Sequence, residues 1–241
     1  MQTKLAPMLQ FKKRSMKKTK VLVVAAHPDD EVLGMGGTLL KLVQSGQNNL
    51  HLLFLSFGEA SRGKKVANED LRKRQAMMVS KKIGASLYLK ENFPDNAFDS
   101  VPLLKIIQRV EYYLRIIKPT VIYTHHGQDL NVDHRLTFQA VFTAVRPSRY
   151  PNLKKLYTFE ILSSTEWQVK TSSTVFLPNT YVDIGQYLEP KIELLKEYQR
   201  EISPFPFPRS PQGVKALAQY RGMECGLKYA EAFQLIREVR L

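Results

Sequence analysis

Short unbroken apolar runs along this chain alternate with longer stretches whose apolar positions recur every three to four residues. Val21-Leu-Val-Val-Ala-Ala26 has no polar position at all, which predicts a strand covered on both faces. His51 to Phe57, Ser86 to Leu89 and Thr120 to Thr124 predict three more strands. Between them, helical spacing predicts helices over Met35 to Gly46, Asn68 to Ile83 and Val101 to Ile117, with Gly46, Gly84 and Pro119 as stops. Asp133 reads as the N-cap of a further helix reaching Val145. Regular alternation of the two element types predicts an α/β fold with a mostly parallel sheet and helices on both faces, in three layers.

The second half is less regular. Tyr157 to Leu162 and Thr174 to Val182 read as strands, and Leu188 to Ile202 and Val214 to Glu238 as helices, with a proline-rich break at Ser203 to Pro211. There is no internal repeat. Residues 1–19 read as a basic N-terminal extension and 20–241 as a single domain.

Charge changes this picture little. The chain has 36 Lys and Arg against 22 Asp and Glu, a net +14. Lys4, Lys12, Lys13, Arg14, Lys17, Lys18 and Lys20 crowd into an acid-free start, so much of the excess lies outside the predicted domain and no specific nucleic-acid partner is expected. No apolar run is long enough for a transmembrane helix. The lone Cys225 cannot form an internal disulfide, which fits a cytoplasmic setting, and in a helical pattern it reads as a buried small hydrophobe. Trp167 reads as core packing in preference to a sugar platform.

Candidate chemistry is concentrated in two segments. Ala26-His27-Pro28-Asp29-Asp30-Glu31 begins where the first strand ends, the edge at which open parallel sheets bind ligands. Beside one histidine, three carboxylates within five residues repel one another unless a cation or solvent compensates. Gly34-Met35-Gly36-Gly37 follows, but its spacing is not that of a dinucleotide loop, and the acids beside it would repel a pyrophosphate. The second segment, His125-His126-Gly127-Gln128-Asp129-Leu130-Asn131-Val132-Asp133-His134-Arg135, follows the fourth strand and so lies on the same rim. Four of the five histidines fall in these two segments; the fifth, His51, reads as structural.

The strand followed by A-H-P-D-D-E, with Asp133-His134-Arg135 about a hundred residues later, resembles the LmbE-like (PIG-L) N-deacetylase family. Weaker agreement at Leu71-Arg72, Ile83-Gly84, Arg221-Gly222 and Tyr229 to Phe233 extends the resemblance over residues 20 to 237. It implies a Rossmann-like fold and one zinc ion per chain held by His27, Asp30 and His134. It also implies Asp29 as the general base that activates water, and Arg72 as a substrate contact. The implied reaction removes N-acetyl groups from an amino-sugar or glycoconjugate substrate. Family members often assemble, which leaves a homo-oligomer open. Many relatives carry a histidine three residues before the last ligand, and the resemblance implies that it helps to stabilise the oxyanion or to protonate the amine; here that position is Asn131, which can donate a hydrogen bond but supplies no proton. His126, from the same loop, is then a candidate for that work, with His125 behind it. Asp133 either orients a neighbouring histidine or caps the helix. The alternatives are a zinc amidase acting on a non-sugar amide and a non-catalytic sugar- or nucleic-acid-binding relative.

Overall fold

The computed structural model describes residues 18–58 and 67–240, the side chains of 67–70 excepted. The basic extension through residue 17 and most of the Gly58–Gly63 loop lie outside the described residues. The first half follows the predicted alternation: β1 (Thr19–Ala25), α1 (Asp30–Gln44), β2 (Asn48–Phe54), α2 (Ala67–Ile83), β3 (Ser86–Tyr88), α3 (Leu103–Ile117), β4 (Val121–His125), α4 (Val132–Ala144) and β5 (Lys155–Phe159). There follow β6 (Thr180–Asp183), α5 (Leu188–Leu195), α6 (Pro211–Met223) and β7 (Ala230–Glu238).

These seven strands form one sheet in the order β3-β2-β1-β4-β5-β7-β6. The first five are parallel, and β7 runs antiparallel to both β5 and β6. The apolar run of β1 divides by the strand's period of two. Val21, Val23 and Ala25 join Leu39 of α1, Val79 of α2 and Ile192 of α5 on one face. Leu22, Val24 and Ala26 join Ile106 and Val110 of α3 and Val141 of α4 on the other. A strand buried on both sides has no position left for a polar residue, which explains the unbroken run.

From β1 the chain builds outward through β2 and β3 on one side and through β4 and β5 on the other. The order therefore reverses between β1 and β4, and a crevice opens beyond their carboxyl ends. The backbone N–H of Ala26 donates to His125 Nε2 at 2.9 Å, tying the two strand ends together.

The glycines after the acidic run serve packing. A Cβ at Gly34 would stand 2.5 Å from Phe159, and one at Gly37 would stand 2.7 Å from Ile184. At Met35 (φ −153°, ψ 24°) α1 kinks, freeing the N–H groups of Gly37 and Thr38. Both donate to the buried Glu231 carboxylate of β7, which also accepts from Lys191 Nζ at 2.7 Å.

Several expectations for the second half need correction. Val214 to Glu238 is not one helix: α6 ends at Met223, and the chain turns through Gly226 (φ +76°) into β7. The strand expected over Thr174 to Val182 shrinks to β6. The helix expected over Leu188 to Ile202 stops at Leu195 and continues as a 3₁₀ segment, Lys196–Glu201, broken at Tyr198. Cys225 is exposed just beyond α6 instead of buried in a helix. Trp167 is 54% exposed, edge-on to Phe207, and takes no part in the core. Among the described residues no helix is long and apolar enough to cross a membrane.

Candidate metal centre and active site

The turn after β1 carries His27, Asp29 and Asp30 into the crevice. Asp29 has φ 115°, a conformation that non-glycine residues rarely adopt and that costs on the order of 1–3 kcal/mol. Surrounding hydrogen bonds hold it there. Its N–H donates to Glu31 Oε2 at 2.9 Å, and its carbonyl accepts from Val32 and Leu33. Glu31 is fully buried, which pushes its carboxyl up to about 8, and its other oxygen accepts from Tyr198 Oη at 2.7 Å. The effect of this turn is to send Asp29 one way and the flanking His27 and Asp30 another.

The loop after β4 supplies the rest. Asn131, not Asp133, is the N-cap of α4, its side-chain oxygen accepting from the Asp133 N–H at 2.8 Å. Asp133 then sits in the first turn with its carboxylate on His27 Nε2 (2.9 Å) and on the N–H groups of Asn96 (2.7 Å) and Phe98 (3.0 Å). Because an ionised carboxylate only accepts, His27 must donate from Nε2, so in the neutral ring that a metal would bind Nδ1 carries the lone pair. His134 is the mirror case. Its Nδ1 donates to Asp129 at 3.1 Å, so in the neutral ring Nε2 is the bare nitrogen. Asp129 is held in turn by the Ser164 and Thr165 hydroxyls and the Asn131 N–H.

Both bare nitrogens face Asp30. His27 Nδ1 lies 3.6 Å from Asp30 Oδ2, and His134 Nε2 lies 3.4 Å from Asp30 Oδ1. The three residues offer ligand atoms that all lie within 4.8 Å of one another, and all three are buried. An ion bonded to such atoms at about 2.0–2.1 Å in tetrahedral geometry would separate them by roughly 3.3–3.4 Å. The donor set and its spacing therefore fit a divalent cation, with a fourth coordination position left over.

Electrostatics points the same way. Asp30, Asp95, Asp129 and Asp133 are all buried around two imidazoles. Burial alone would lower His27, but hydrogen bonds to Asp133 and Asp30 raise it to about 10. Burial would likewise lower His134, yet Asp30 and Asp129 raise it to about 9. Asp30, which burial would raise, is held well below the usual carboxylate range by His134 and His125. A cluster this short of positive charge is one a cation relieves. His125 behaves differently: burial and the neighbouring His134, stacked 3.9 Å away, depress it to about 4, so it stays neutral.

In front of this group is a cavity of about 90 Å³ lined by His27, Asp29, Asp30, Asn131 and His134 on one side. Gly58, Arg72, Asp95, Asn96, Glu201 and Arg209 complete it. Gly58 takes φ +75° at the point where a Cβ would crowd His27. Arg72 reaches the cavity, with Nη1 3.1 Å from Glu201 and Nη2 3.8 Å from Asp29. Burial raises Asp29 to about 6, with Arg72 and Arg209 opposing. His126 is not brought to the cavity. Its Nε2 donates to the Thr174 carbonyl at 3.0 Å, and its ring packs edge-on against Phe176. A larger groove of about 510 Å³ runs past Phe176, Tyr181 and Tyr220. It contains no histidine, and its Arg221 is bound by Glu160 and Glu224.

Sequence reasoning missed Asp129, Asp95, Asn96, Glu201 and Arg209. For Asp129 a signal existed, an acid sharing a rim loop with two histidines. The others lie on connections that carry no spacing pattern.

Fold, crevice and donor set together define a class. A profile of the GlcNAc-PI de-N-acetylase (PIG-L) family matches residues 22–145, and the chain belongs to that family. Over 225 residues it is 24% identical to the diacetylchitobiose deacetylase of Thermococcus kodakarensis, spanning 90% of this chain and 83% of that protein. The N,N'-diacetylchitobiose deacetylase of Pyrococcus horikoshii, solved with its inhibitor MPG, superposes with a TM-score of 0.73 at 20% identity, covering 90% of this chain and 84% of that one. The 4-carboxy-2-hydroxymuconate hydratase of Pseudomonas putida KT2440 superposes with a TM-score of 0.69, also at 20% identity, over 92% of this chain and 98% of that one. The shared fold thus hosts more than one reaction, and the site must decide between them.

Proposed function

We propose that residues 20–241 form a zinc-dependent N-deacetylase acting on an amino sugar or glycoconjugate. The observation that carries this reading is the convergence of His27, Asp30 and His134 with an acid, Asp29, that stands beside them in the same cavity. Two imidazoles and one carboxylate with an open fourth position are the ligand set of a catalytic zinc in preference to a structural one. Zinc held there would supply a Lewis acid that acidifies water and polarises the amide carbonyl.

The chain's own groups do the rest. Asp29 Oδ takes the proton of the attacking water as oxygen bonds to the carbonyl carbon. The same carboxyl returns that proton to the nitrogen as the C–N bond breaks, giving acetate and a free amine. Asp133 and Asp129 fix the two ligand rings in the tautomers the metal needs. Arg72 contributes a guanidinium to the substrate wall. A wall of charged and amide groups suits a hydroxyl-rich substrate, and the diacetylchitobiose deacetylases named above point to sugars. A zinc amidase on a non-sugar amide is the second reading.

Metal-loaded protein is expected to release acetate from at least one member of a panel of N-acetylated sugars, nucleotide sugars and lipid-linked sugars. Stripping the metal with a chelator should abolish the release, and adding zinc back should restore it. Protein with about one zinc per chain that releases no acetate from any of them would contradict the reading.

A further inference from the structure

This inference rests on the deacetylase reading and concerns a residue that no motif singles out. Hydrolysis of an amide places negative charge on the former carbonyl oxygen. A donor aimed at that oxygen contributes about 10²–10³ in kcat in other hydrolases. The family position associated with that task holds Asn131, whose oxygen and one of whose two Nδ2 hydrogens are already engaged. Its Oδ1 accepts from Asp133, and its Nδ2 donates to Asn96 Oδ1 at 3.0 Å. The Asn96 amide donates to Asp95 at 3.2 Å, and the Gly58 N–H donates to Ser56 Oγ at 3.3 Å. His126 faces Thr174.

Arg209 is in a different position. It comes from the proline-rich segment before α6, and its side chain is 16% exposed at the cavity wall. Its Nε donates to Ser163 Oγ (2.6 Å) and the Leu162 carbonyl (3.1 Å) in the turn beyond β5, where Ser163 takes φ 64°. Its Nη1 donates to Asp29 Oδ2 at 2.9 Å and to Glu201 Oε2 at 3.2 Å. A guanidinium has five N–H donors in a rigid plane. Nε and Nη1 account for three, and the two on Nη2 meet no partner among the described residues. Glu201 also pairs with Arg72, which lets two cations share one wall. Arg72 stands farther from Asp29 than Arg209 does, at 3.8 Å against 2.9 Å.

We propose that Arg209 is a catalytic residue: Nη2 donates to the reacting acyl oxygen while Nη1 holds the Asp29 carboxylate, so that one rigid plane aims base and donor at the same carbonyl. The fork geometry is what a lysine cannot reproduce, because an ammonium is a point charge with no fixed plane.

Two variants test this, Arg209→Ala and Arg209→Lys, each loaded with zinc and checked for metal content and melting temperature. On a substrate that the parent protein hydrolyses, Arg209→Ala should lose about 10²- to 10³-fold in kcat, the range of a lost oxyanion donor. Its KM and zinc content should stay near the parent's. Arg209→Lys should recover little of that loss, and added guanidinium ion should restore part of the activity of Arg209→Ala. A second readout needs no turnover. Acetate, which presents the product's oxygens to the same donor, should bind the zinc-loaded Arg209→Ala protein about tenfold more weakly by calorimetry, as expected for a lost charge-assisted hydrogen bond.

Either variant matching the parent in both kcat and acetate affinity would overturn the proposal. So would losses in Arg209→Ala that track zinc loss or unfolding while a folded Arg209→Lys is fully active. Arg209-dependent acetate binding in a parent protein that deacetylates nothing would uphold the donor while removing the deacetylase reading.

Discussion

Asp29→Asn should leave zinc in place and lower kcat by about 10²–10⁴, the range for a lost general base. The substitution is isosteric, and asparagine is among the few residues that tolerate positive φ, so the strained turn should survive. Asp29 lies outside the His27, Asp30 and His134 donor group, which is why the metal should remain. What disappears is the acceptor for the water's proton, together with half of the negative charge that Arg209 Nη1 sees. Steady-state kinetics beside metal analysis on the same sample checks both halves. A variant with zinc bound and unchanged kcat would remove Asp29 as the base.

His134→Ala should fail in the opposite manner, losing metal and activity together. Without the imidazole, Asp129 keeps its hydroxyl partners but loses its ring nitrogen, and Asp30 loses the closer of its two facing ligand rings. Removing one partner from a buried charged group typically costs about 3–5 kcal/mol, so the melting temperature should fall as well. Zinc per chain should drop from about one towards zero, the ordinary result of deleting one of three protein ligands. A circular dichroism spectrum like the parent's would show that the loss is local. Full zinc content in a folded His134→Ala protein would take His134 out of the ligand set.

The parts of the fold that were legible in the sequence are those whose burial leaves one pattern. β1 lies between two layers of helices, so its buried stretch from Val21 had to be apolar throughout, and the motif at its end inherited a place on the rim. β7 misled for the opposite reason. Ala230-Glu-Ala-Phe-Gln-Leu-Ile-Arg237 is rich in good helix formers, and its strand state is imposed by β5, which offers an unpaired edge that local propensity does not record. At the site, the scarcity of histidine pointed to the two rim loops, and the family resemblance singled out His27, Asp30 and His134 within them. The wall opposite did not. Asp95 and Asn96 follow β3, Glu201 ends a 3₁₀ segment, and Arg209 sits among prolines. Each is a single polar residue on an irregular connection, brought to the cavity only by the folded sheet. The sequence offered Asp133 two roles, and the structure separates them: Asn131 caps α4, which frees the Asp133 carboxylate to orient His27.

All of this depends on one ion sitting between two loops that are about a hundred residues apart in the chain. Anomalous scattering at the zinc absorption edge, from crystals grown with zinc, tests it directly. A single strong peak is expected about 2.0–2.2 Å from His27 Nδ1, Asp30 Oδ and His134 Nε2, with Asp29 near it but not bonded. A peak on the far side of His27, between Asp95 and Asp133, or none at all in the crevice, would contradict it.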